Sequence, residues 1–335
     1  MRRTATLALR LPRLQTFIYA ALLLPLQAWA MDLARDDVQQ FISELTTKEG
    51  FDTAYVESVL ADSETQQSII TAMTRPAEKA KPWHEYRAIF ITPERIAAGV
   101  EFYATHRETL DRISTSTGVS QAMILGIIGV ESYFGRTTGN YRVVDALVTL
   151  GFDYPPRADF FRSELNQAFL LAREEQLNLL DLKGSYAGAM GPPQFIASSY
   201  RNFAVDGDGD GRRDLLNNWV DIMASVANYF VVHKWQTGQQ VAARATISKE
   251  AGILPLNVEL LPESTVMGLN TAGVVFPTEL PPAAPAGLWQ LQGKDDTEYW
   301  VGFQNLYVIT RYNRSIMYAL AAWQLGEAIV GEVAE

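Results

Sequence analysis

Glu131 is a carboxylate near the end of a strongly apolar segment. Residues 120–132 (Ser-Gln-Ala-Met-Ile-Leu-Gly-Ile-Ile-Gly-Val-Glu-Ser) have helical character without a polar face, and such helices are usually buried on all sides. Burial disfavours an ionised carboxylate, so a carboxyl group at this place is expected to keep its proton near neutral pH, as general acid catalysis requires. A structural interpretation competes with this one, in which Glu131 pairs with a nearby arginine such as Arg136.

A second group of carboxylates occupies residues 206–214 (Asp-Gly-Asp-Gly-Asp-Gly-Arg-Arg-Asp). Side-chain oxygens stand at loop positions 1, 3, 5 and 9, with glycine at position 6, which is typical of the calcium loop of an EF-hand. An EF-hand has glutamate at position 12, where this chain has Asn217, so Asp221 is the candidate that closes the shell. The sequence therefore predicts a structural Ca²⁺ ion, and the alternative is a solvated acidic turn.

Six separated motifs follow one another between about residues 38 and 328. They are residues 81–87 (Lys-Pro-Trp-His-Glu-Tyr-Arg), 129–136 (Gly-Val-Glu-Ser-Tyr-Phe-Gly-Arg), 153–157 (Asp-Tyr-Pro-Pro-Arg), 183–195 (Lys-Gly-Ser-Tyr-Ala-Gly-Ala-Met-Gly-Pro-Pro-Gln-Phe) and 225–230 (Ser-Val-Ala-Asn-Tyr-Phe), and a last motif made of 309–315 (Ile-Thr-Arg-Tyr-Asn-Arg-Ser) with 318–320 (Tyr-Ala-Leu). Together they resemble the family-3 lytic transglycosylases, which form glycoside hydrolase family 103. Because the motifs are spread over most of the chain, the resemblance is not a local coincidence.

The resemblance implies a peptidoglycan substrate and a role for Glu131. As an acid, Glu131 would protonate the oxygen that links N-acetylmuramic acid to N-acetylglucosamine. As a base, it would then take the proton of the muramic C6 hydroxyl, which attacks C1 and leaves a 1,6-anhydromuramoyl end. One residue would do both tasks, unlike the paired carboxylates of most glycosidases. A hydrolytic muramidase that uses water and a non-catalytic peptidoglycan-binding scaffold remain open as alternatives.

The resemblance also implies which residues contact the ligands. Sugar contacts are expected from Ser185, Gln194, Tyr229, Tyr312, Asn313 and Tyr318, and contacts with the peptide stem from Tyr86 and Arg157. The calcium shell would consist of Asp206, Asp208, Asp210, the Arg212 carbonyl and Asp221. Tyrosines suit sugars because their flat faces are apolar and their tips polar, although tyrosines at helical spacing are more often core residues.

The elements that must position these residues are mainly helical. Apolar residues recur every three to four positions at 37–45, 53–60 and 95–113, with no alternating strand pattern over 36–114. Ser120 is the expected N-cap of the helix at 120–132, and Gly135 is expected to end it. Further helices are predicted at about 156–180, 219–233 and 303–326. Between 240 and 300, short apolar stretches and prolines indicate strands.

These patterns predict a mainly α fold of the α+β class, and the resemblance adds a lysozyme-like catalytic core. The expected division is a signal peptide at 1–30, a mainly helical N-terminal region at 31–115, and the core at 116–240 with the calcium loop at 206–221. A small β-containing insertion at 241–300 follows, and a C-terminal helical segment at 301–335 completes the active-site groove.

The first 30 residues have the features of an export signal. Four arginines precede an apolar run over residues 17–26, and Ala28-Trp29-Ala30 is a small-x-small cleavage pattern. The run is shorter than the roughly 20 residues of a spanning helix, so cleavage after Ala30 is expected. Removal of the signal leaves 24 basic against 38 acidic residues, a net charge of −14.

The amino-acid composition limits the classes of partner and the cellular compartment that are expected for this chain. An acidic chain without a cluster of Lys and Arg argues against nucleic acid as a partner. Because the chain has no cysteine, disulfides, thiolate metal sites and lipid attachment to a cysteine after the signal are excluded. We therefore expect a soluble periplasmic enzyme without lipid anchor, membrane span or organic cofactor, acting on peptidoglycan glycan strands. The sequence does not indicate which proteins are its partners.

Overall fold

The computed structural model describes residues 28–74 and 81–334. The predicted signal peptide falls mostly on residues 1–27, outside the described residues, and stays a prediction. Strand β1 (Ala28–Ala30) pairs antiparallel with β2 (Glu64–Gln66). A chain cleaved after Ala30 would keep β2 and lose this pairing.

The N-terminal part is helical, as the periodicity predicts. Its helices are α1 (Asp36–Lys48), α2 (Thr53–Asp62), α3 (Gln67–Thr74), α4 (Trp83–Phe90) and α5 (Pro93–Thr117). Local caps decide where two of them begin, because the side chains of Asp52 and Thr92 accept hydrogen bonds from the backbone N–H groups of Tyr55 and Arg95. The strand β2 was not predicted, since three residues are too few to show an alternating pattern.

The central part contains the segments that carry most of the predicted site residues. It consists of α6 (Gln121–Ser132), β3 (Tyr141–Arg142), α7 (Val143–Phe152), a 3-10 turn (Pro155–Arg157), α8 (Ala158–Glu174), β4 (Lys183–Gly184), α9 (Ala197–Phe203) and α10 (Trp219–Val232). The helix predicted at 156–180 is shorter than expected. The 3-10 turn precedes it, and Gln176, with a φ of 56°, follows its end.

A small antiparallel sheet follows, as predicted for this stretch. Its strands are β5 (Ala242–Ile247), β6 (Ser264–Thr265), β7 (Val274–Val275), β8 (Pro285–Gln292) and β9 (Thr297–Gly302), and α11 (Val266–Thr271) connects β6 to β7. The strand order is β6-β8-β9-β5-β7, with Trp289 opposite Trp300 in the central pair. A separate apolar cluster that includes Leu288, Val301 and Phe303 forms the core of this sheet.

The chain returns to the central part with α12 (Gln304–Ile309) and α13 (Ile316–Ala334). Helix α13 packs against α6 at a distance that only glycine allows. A Cβ atom on Gly126 would lie 2.1 Å from the Ala322 carbonyl oxygen, and one on Gly326 would lie 1.8 Å from that of Ala122. This close packing brings the first turn of α13 beside the last turn of α6.

The predicted fold class, mainly α with a small β part, is confirmed by these elements. Within the described ranges, no single helix is both long and apolar enough to cross a membrane. The pair α5 and α6 passes that test together by length and composition, with a bend of 116° between the two helices.

Candidate active site

Glu131 lies in the last turn of α6, and the backbone turns sharply immediately after it. Ser120 caps the start of the helix, as predicted, by accepting the backbone N–H of Met123 at 3.3 Å. The end differs from the prediction, because the left-handed conformation begins at Tyr133 (φ 50°) and continues through Phe134 (φ 56°) before Gly135 (φ 81°). Left-handed residues other than glycine are strained and persist only where the surrounding structure holds them.

Two contacts hold this turn in place. Arg95 donates from Nη1 to the Gly129 carbonyl at 3.0 Å, and its guanidinium lies 4.7 Å from the centre of the Tyr133 ring. The ring of Phe134 is buried against Gly129, where a Cβ atom would lie 2.8 Å from it. The tertiary structure therefore stabilises the strained residues that follow Glu131.

Glu131 is half-buried and receives a hydrogen bond from α13. The hydroxyl of the buried Tyr318 donates to Oε1 of Glu131 at 2.5 Å. Burial, followed by the nearby charge of Glu131, raises the pKa of Tyr318 well above its usual value. Tyr318 therefore stays protonated, and its hydroxyl keeps one oxygen of the carboxyl group in a defined position. Arg136, the arginine named as an example for the structural interpretation, forms a salt bridge with Glu101 at 3.5 Å.

Ser185 and Gln194 lie on one tight loop beside Glu131. Ser185 Oγ accepts hydrogen bonds from the backbone N–H groups of Ala187 and Ala189. These two bonds do not use the hydroxyl hydrogen of Ser185. Gln194 donates from Nε2 to the carbonyls of Thr138 and Gly191 at 3.0 and 2.9 Å. Both amide hydrogens are used in this way, which leaves the amide oxygen as the group of this side chain that can accept from a ligand.

A glycine makes the shape of this loop possible. Gly191 has a φ of 64°, and a Cβ atom there would lie 2.1 Å from the Leu215 carbonyl oxygen. Met190 pairs with Gly184 and with Phe195 on either side of the turn. The loop therefore folds back on itself and presents Ser185 and Gln194 to the same cavity.

Aromatic side chains form one wall of the cavity. The Tyr229 and Tyr312 rings lie 4.7 Å apart, and Phe195 packs 5.7 Å from Tyr312. Each tyrosine hydroxyl is bound to a backbone carbonyl, that of Tyr229 to Arg311 at 2.5 Å and that of Tyr312 to Pro193 at 2.6 Å. Burial raises the pKa of Tyr229 to about 12, and burial with the charge of Glu131 raises that of Tyr312 well above its usual value. These rings are neutral surfaces suited to packing against a sugar ring.

The structure brings most of the predicted residues to one cavity of about 660 Å³. The predicted residues that line it are Glu131, Ser185, Gln194, Tyr229, Tyr312 and Asn313. The lining residues that sequence reasoning missed are Ala72, Tyr186, Ala187, Ala189, Phe195, Ile196 and Ser199. Most of the missed residues lie in or next to the motif at 183–195, which is a local signal. Ala72 lies in α3, and nothing in its sequence surroundings indicates a wall of this cavity.

Three predicted residues do not line the cavity. Tyr318 lies behind Glu131 and reaches the site through its hydrogen bond. Tyr86 is buried, and it is among the groups that raise the pKa of Tyr318. Arg157 is exposed, with its guanidinium 4.2 Å from the centre of the Phe160 ring and 5.0 Å from that of Phe161. The predicted contact of Arg157 with a peptide stem stays a prediction.

The acidic loop has the donor set of a divalent cation site. Asp206, Asp208 and Asp210 each offer a carboxylate oxygen, and these oxygens lie within 4.8 Å of one another at the surface. Asp206 also organises the loop, because it accepts the backbone N–H groups of Gly209, Asp210 and Gly211. Three carboxylates this close repel one another unless a cation lies between them.

Asp221 lies beneath the loop. It is fully buried and accepts the backbone N–H groups of Gly207 and Asp214 at 2.7 and 2.8 Å. Burial, with a smaller contribution from Asp208 and Asp206, raises its pKa. The residues fit a Ca²⁺ ion in the three surface carboxylates, and the direct coordination predicted for Asp221 and the Arg212 carbonyl stays a prediction.

Comparisons with known proteins match almost the whole chain. A family model described as "Transglycosylase SLT domain" matches residues 34–327. The chain is 41% identical over 304 residues to membrane-bound lytic murein transglycosylase B of Escherichia coli (strain K12), covering 88% of this chain and 82% of that protein. Two similar solved structures match this chain over most of its length and over nearly all of their own. Soluble lytic transglycosylase SltB1 from Pseudomonas aeruginosa has a TM-score of 0.85 and 46% identity, with 89% of this chain and 100% of that chain covered.

The second structure is the Escherichia coli lytic transglycosylase Slt35 in complex with calcium. It has a TM-score of 0.82 and 39% identity, with 92% of this chain and 97% of that chain covered. The resemblance inferred from the six motifs is confirmed by these comparisons.

Proposed function

Since the chain belongs to the transglycosylase SLT domain family, we propose that it is a lytic transglycosylase that cleaves peptidoglycan glycan strands with Glu131 as its catalytic residue. The bond cleaved is the β-1,4 bond between N-acetylmuramic acid and N-acetylglucosamine. The observation that carries the proposal is the placement of Glu131. Its carboxyl group lines a cavity of about 660 Å³ with two tyrosine rings, and Tyr318 binds one of its oxygens.

The reaction needs one proton donor that later becomes the proton acceptor. Glu131 gives its proton to the bridging oxygen, the bond to C1 breaks, and the N-acetylglucosamine part leaves as an alcohol. The carboxylate of Glu131 then takes the proton of the muramic C6 hydroxyl as that oxygen bonds to C1. The proton that Glu131 gives up in the first step is replaced in the second, so the reaction is complete without water. The product is a 1,6-anhydromuramoyl end.

The surroundings of Glu131 support a single-carboxylate mechanism. Among the described residues that line the cavity, Glu131 is the only acidic side chain, so no second carboxylate is placed to act as nucleophile or base. The Tyr318 hydroxyl favours the carboxylate formed after the first step, because it donates a hydrogen bond to Oε1. Ser185, Gln194 and Asn313 are the polar groups that orient the sugar, and Tyr229 and Tyr312 provide the apolar wall.

The test of this mechanism is Glu131→Gln with Glu101→Gln as its matched control. Glu101 is exposed and outside the cavity, where it pairs with Arg136. Loss of a general acid and base costs about 10² to 10⁴ in rate, so Glu131→Gln should release soluble fragments from purified sacculi that much more slowly. Glu101→Gln should cleave at nearly the parental rate. Unchanged cleavage by Glu131→Gln with an intact thermal transition would exclude the mechanism.

Mass analysis of the products separates the transglycosylase from the hydrolytic alternative. Intramolecular attack gives products lighter by one water and without a reducing muramic end, whereas a muramidase leaves reducing ends. A non-catalytic scaffold would bind sacculi and release no fragments. The three functions therefore give three different results with the same preparation.

We further propose that the acidic loop binds a structural Ca²⁺ ion. The proposal is supported by the three converging carboxylates and by the calcium complex of the similar Slt35. Calcium bound only to the folded chain raises the free energy of unfolding by about 2.7 kcal/mol at 100 times its Kd. The Tm should therefore rise with calcium in the parent and not in Asp210→Asn. Asp181→Asn, at another exposed position, should retain the calcium response, and a response left intact in Asp210→Asn would refute the site.

We also propose export to the periplasm with cleavage after Ala30 and no lipid anchor. The arginine-led apolar run and the absence of cysteine support this. N-terminal sequencing of the protein recovered from a periplasmic fraction tests it. A mature chain beginning at Met31 is expected, and a chain that keeps its first 27 residues in the membrane fraction would contradict it.

A further inference from the structure

We propose that a second cavity, at the end of α6 opposite to Glu131, is a non-catalytic binding site for an N-acetylated glycan strand. We call it the rear cleft, and its lining includes Ser120, Trp235, Gln239, Glu279, Trp323 and Glu327. Its volume is about 1180 Å³, larger than the 660 Å³ of the cavity at Glu131. The inference rests on the proposed function, because the substrate of such an enzyme is a network of glycan strands.

The position of the rear cleft separates it from the catalytic cavity. Ser120 caps the first turn of α6, and Glu131 is eleven residues further along, which corresponds to about 16 Å at the rise of an α-helix. Helix α13 runs alongside, with Tyr318 at the Glu131 end and Trp323 and Glu327 at the other. Among the described residues, the two cavities have no lining residue in common. A ligand in the rear cleft therefore leaves the catalytic cavity open.

Two tryptophans provide the surface for sugar rings. Trp235 and Trp323 are half-buried, and each packs edge-on against another ring. Phe230 lies 5.5 Å from Trp235 at an interplanar angle of 65°, and Trp300 lies 6.4 Å from Trp323 at 85°. Rigid indole rings pack well against the C–H faces of sugars.

The charge of the rear cleft disfavours anionic ligands. Its lining, within the part of the chain that the structure describes, contains no Lys or Arg and two exposed carboxylates, Glu279 and Glu327. Phosphates, nucleic acids and free stem carboxylates would be repelled. The remaining polar lining consists of hydroxyl and amide side chains, including Ser120, Thr278 and Gln239. Such groups exchange hydrogen bonds with the hydroxyl and acetamido groups of an uncharged sugar.

A second strand bound here would keep the enzyme on the wall during cleavage. The strand in the rear cleft would hold the molecule near further substrate between cleavage events, so local substrate concentration would rise without a new contact at Glu131. The expected consequence is selective. Cleavage of insoluble sacculi depends on the rear cleft, whereas cleavage of a short soluble glycan fragment does not.

The direct test uses the full chain with ¹⁵N-labelled tryptophan and triacetylchitotriose as the probe. Trp235→Phe assigns the Trp235 indole resonance by its disappearance. The Trp235 signal should shift and saturate as the probe is added. A Trp235 signal that does not move at millimolar probe would overturn the proposal, and a shift caused only by an added apolar peptide would assign the rear cleft to a protein partner instead.

Two glutamines provide a matched pair for the functional test. Gln236 and Gln239 are both exposed and both bind Asn305 through backbone atoms, but only Gln239 lines the rear cleft. Gln239→Arg should weaken probe binding about tenfold because the longer side chain obstructs the cleft, and Gln236→Arg should not. Gln239→Arg should also slow cleavage of sacculi while cleavage of soluble fragments continues at the parental rate.

The outcomes distinguish this inference from the proposed function. Equal probe affinity in Gln239→Arg and Gln236→Arg would refute the rear cleft even if Glu131→Gln abolishes cleavage. Conversely, full cleavage by Glu131→Gln would refute the catalytic proposal, while a saturating shift at Trp235 would still establish a sugar site.

Discussion

Replacing Tyr318 with phenylalanine removes one oxygen atom beside the carboxyl group of Glu131, the proposed catalytic residue, and leaves the buried ring in place. That oxygen donates to Oε1 of Glu131 at 2.5 Å. A hydrogen bond to a charged group contributes about 1.5–3 kcal/mol. In the proposed mechanism Glu131 becomes charged as it gives up its proton, so the bond would be strongest after proton transfer has begun. If this contribution is lost in the transition state, kcat/KM falls about 10- to 150-fold.

The assay is the initial rate of fragment release from purified sacculi, with product masses recorded. Tyr312→Phe is the matched control, because its hydroxyl donates to the neutral Pro193 carbonyl at 2.6 Å. A bond of that kind contributes about 0.5–1.5 kcal/mol, so the expected loss is about tenfold or less. Thermal unfolding shows whether either variant is misfolded. A folded Tyr318→Phe enzyme that is as active as the parent, or more active than Tyr312→Phe, would refute the reasoning.

Three further predictions concern packing, pH and the turn after Glu131. Gly326→Ala should lower the free energy of unfolding by about 1–3 kcal/mol and slow cleavage, because its Cβ would lie 1.8 Å from a carbonyl oxygen of α6. Gly331→Ala in the same helix meets nothing within 4 Å and should stabilise by up to about 1 kcal/mol, as urea unfolding can measure. Burial raises the pKa of Tyr229 to about 12 from an ordinary value of 10.0, so its contribution to stability is complete below pH 10. That contribution falls by about 1.4 kcal/mol per pH unit between about pH 10 and 12, where the unfolded tyrosine ionises first, and Tyr229→Phe should flatten this part of a pH series of unfolding curves. Arg95→Met should slow cleavage about tenfold without loss of sacculus binding, because it removes the hydrogen bond to Gly129 that supports the strained turn.

Each of these predictions can fail in a defined way. Equal unfolding free energies for Gly326→Ala and Gly331→Ala would show that α6 and α13 tolerate separation. If the free energy of unfolding falls between about pH 10 and 12 as steeply in Tyr229→Phe as in the parent, other groups cause that loss of stability. For the turn, Arg107→Met in the same helix α5 is the control, since Arg107 is exposed and pairs only weakly with Asp111 at 4.0 Å. Equal activity of the two arginine variants would show that Arg95 does not help to hold the turn after Glu131.

Local signals were sufficient to predict most elements of the fold. The positions of α1, α2 and α5 follow from apolar residues at three-to-four spacing, and the cap at Ser120 marks the start of α6. The absence of a polar face in residues 120–132 predicted a buried helix, and nine of its residues are buried. These properties depend on neighbours in the chain, so a single sequence contains them.

The backbone conformation at the end of α6 is not predictable from the local sequence. Gly135 is the residue expected to take the left-handed conformation, yet Tyr133 and Phe134 take it first. Their strain is offset by contacts with Arg95, more than thirty residues away, and by burial of Phe134. No property of the segment itself indicates those contacts.

The sequence alone determined the class of the fold and the likeness to the transglycosylase family, and it predicted Glu131 as the candidate catalytic residue. Only the tertiary structure decided how that residue is held. It placed Tyr318 of α13 on the Glu131 carboxyl group, made Ala72 of α3 part of the cavity wall, and left Arg157 exposed beside Phe160 and Phe161. The reason is physical: helix periodicity and capping act over a few residues, whereas the approach of α13 to α6 depends on glycines 200 positions apart, at 126 and 326.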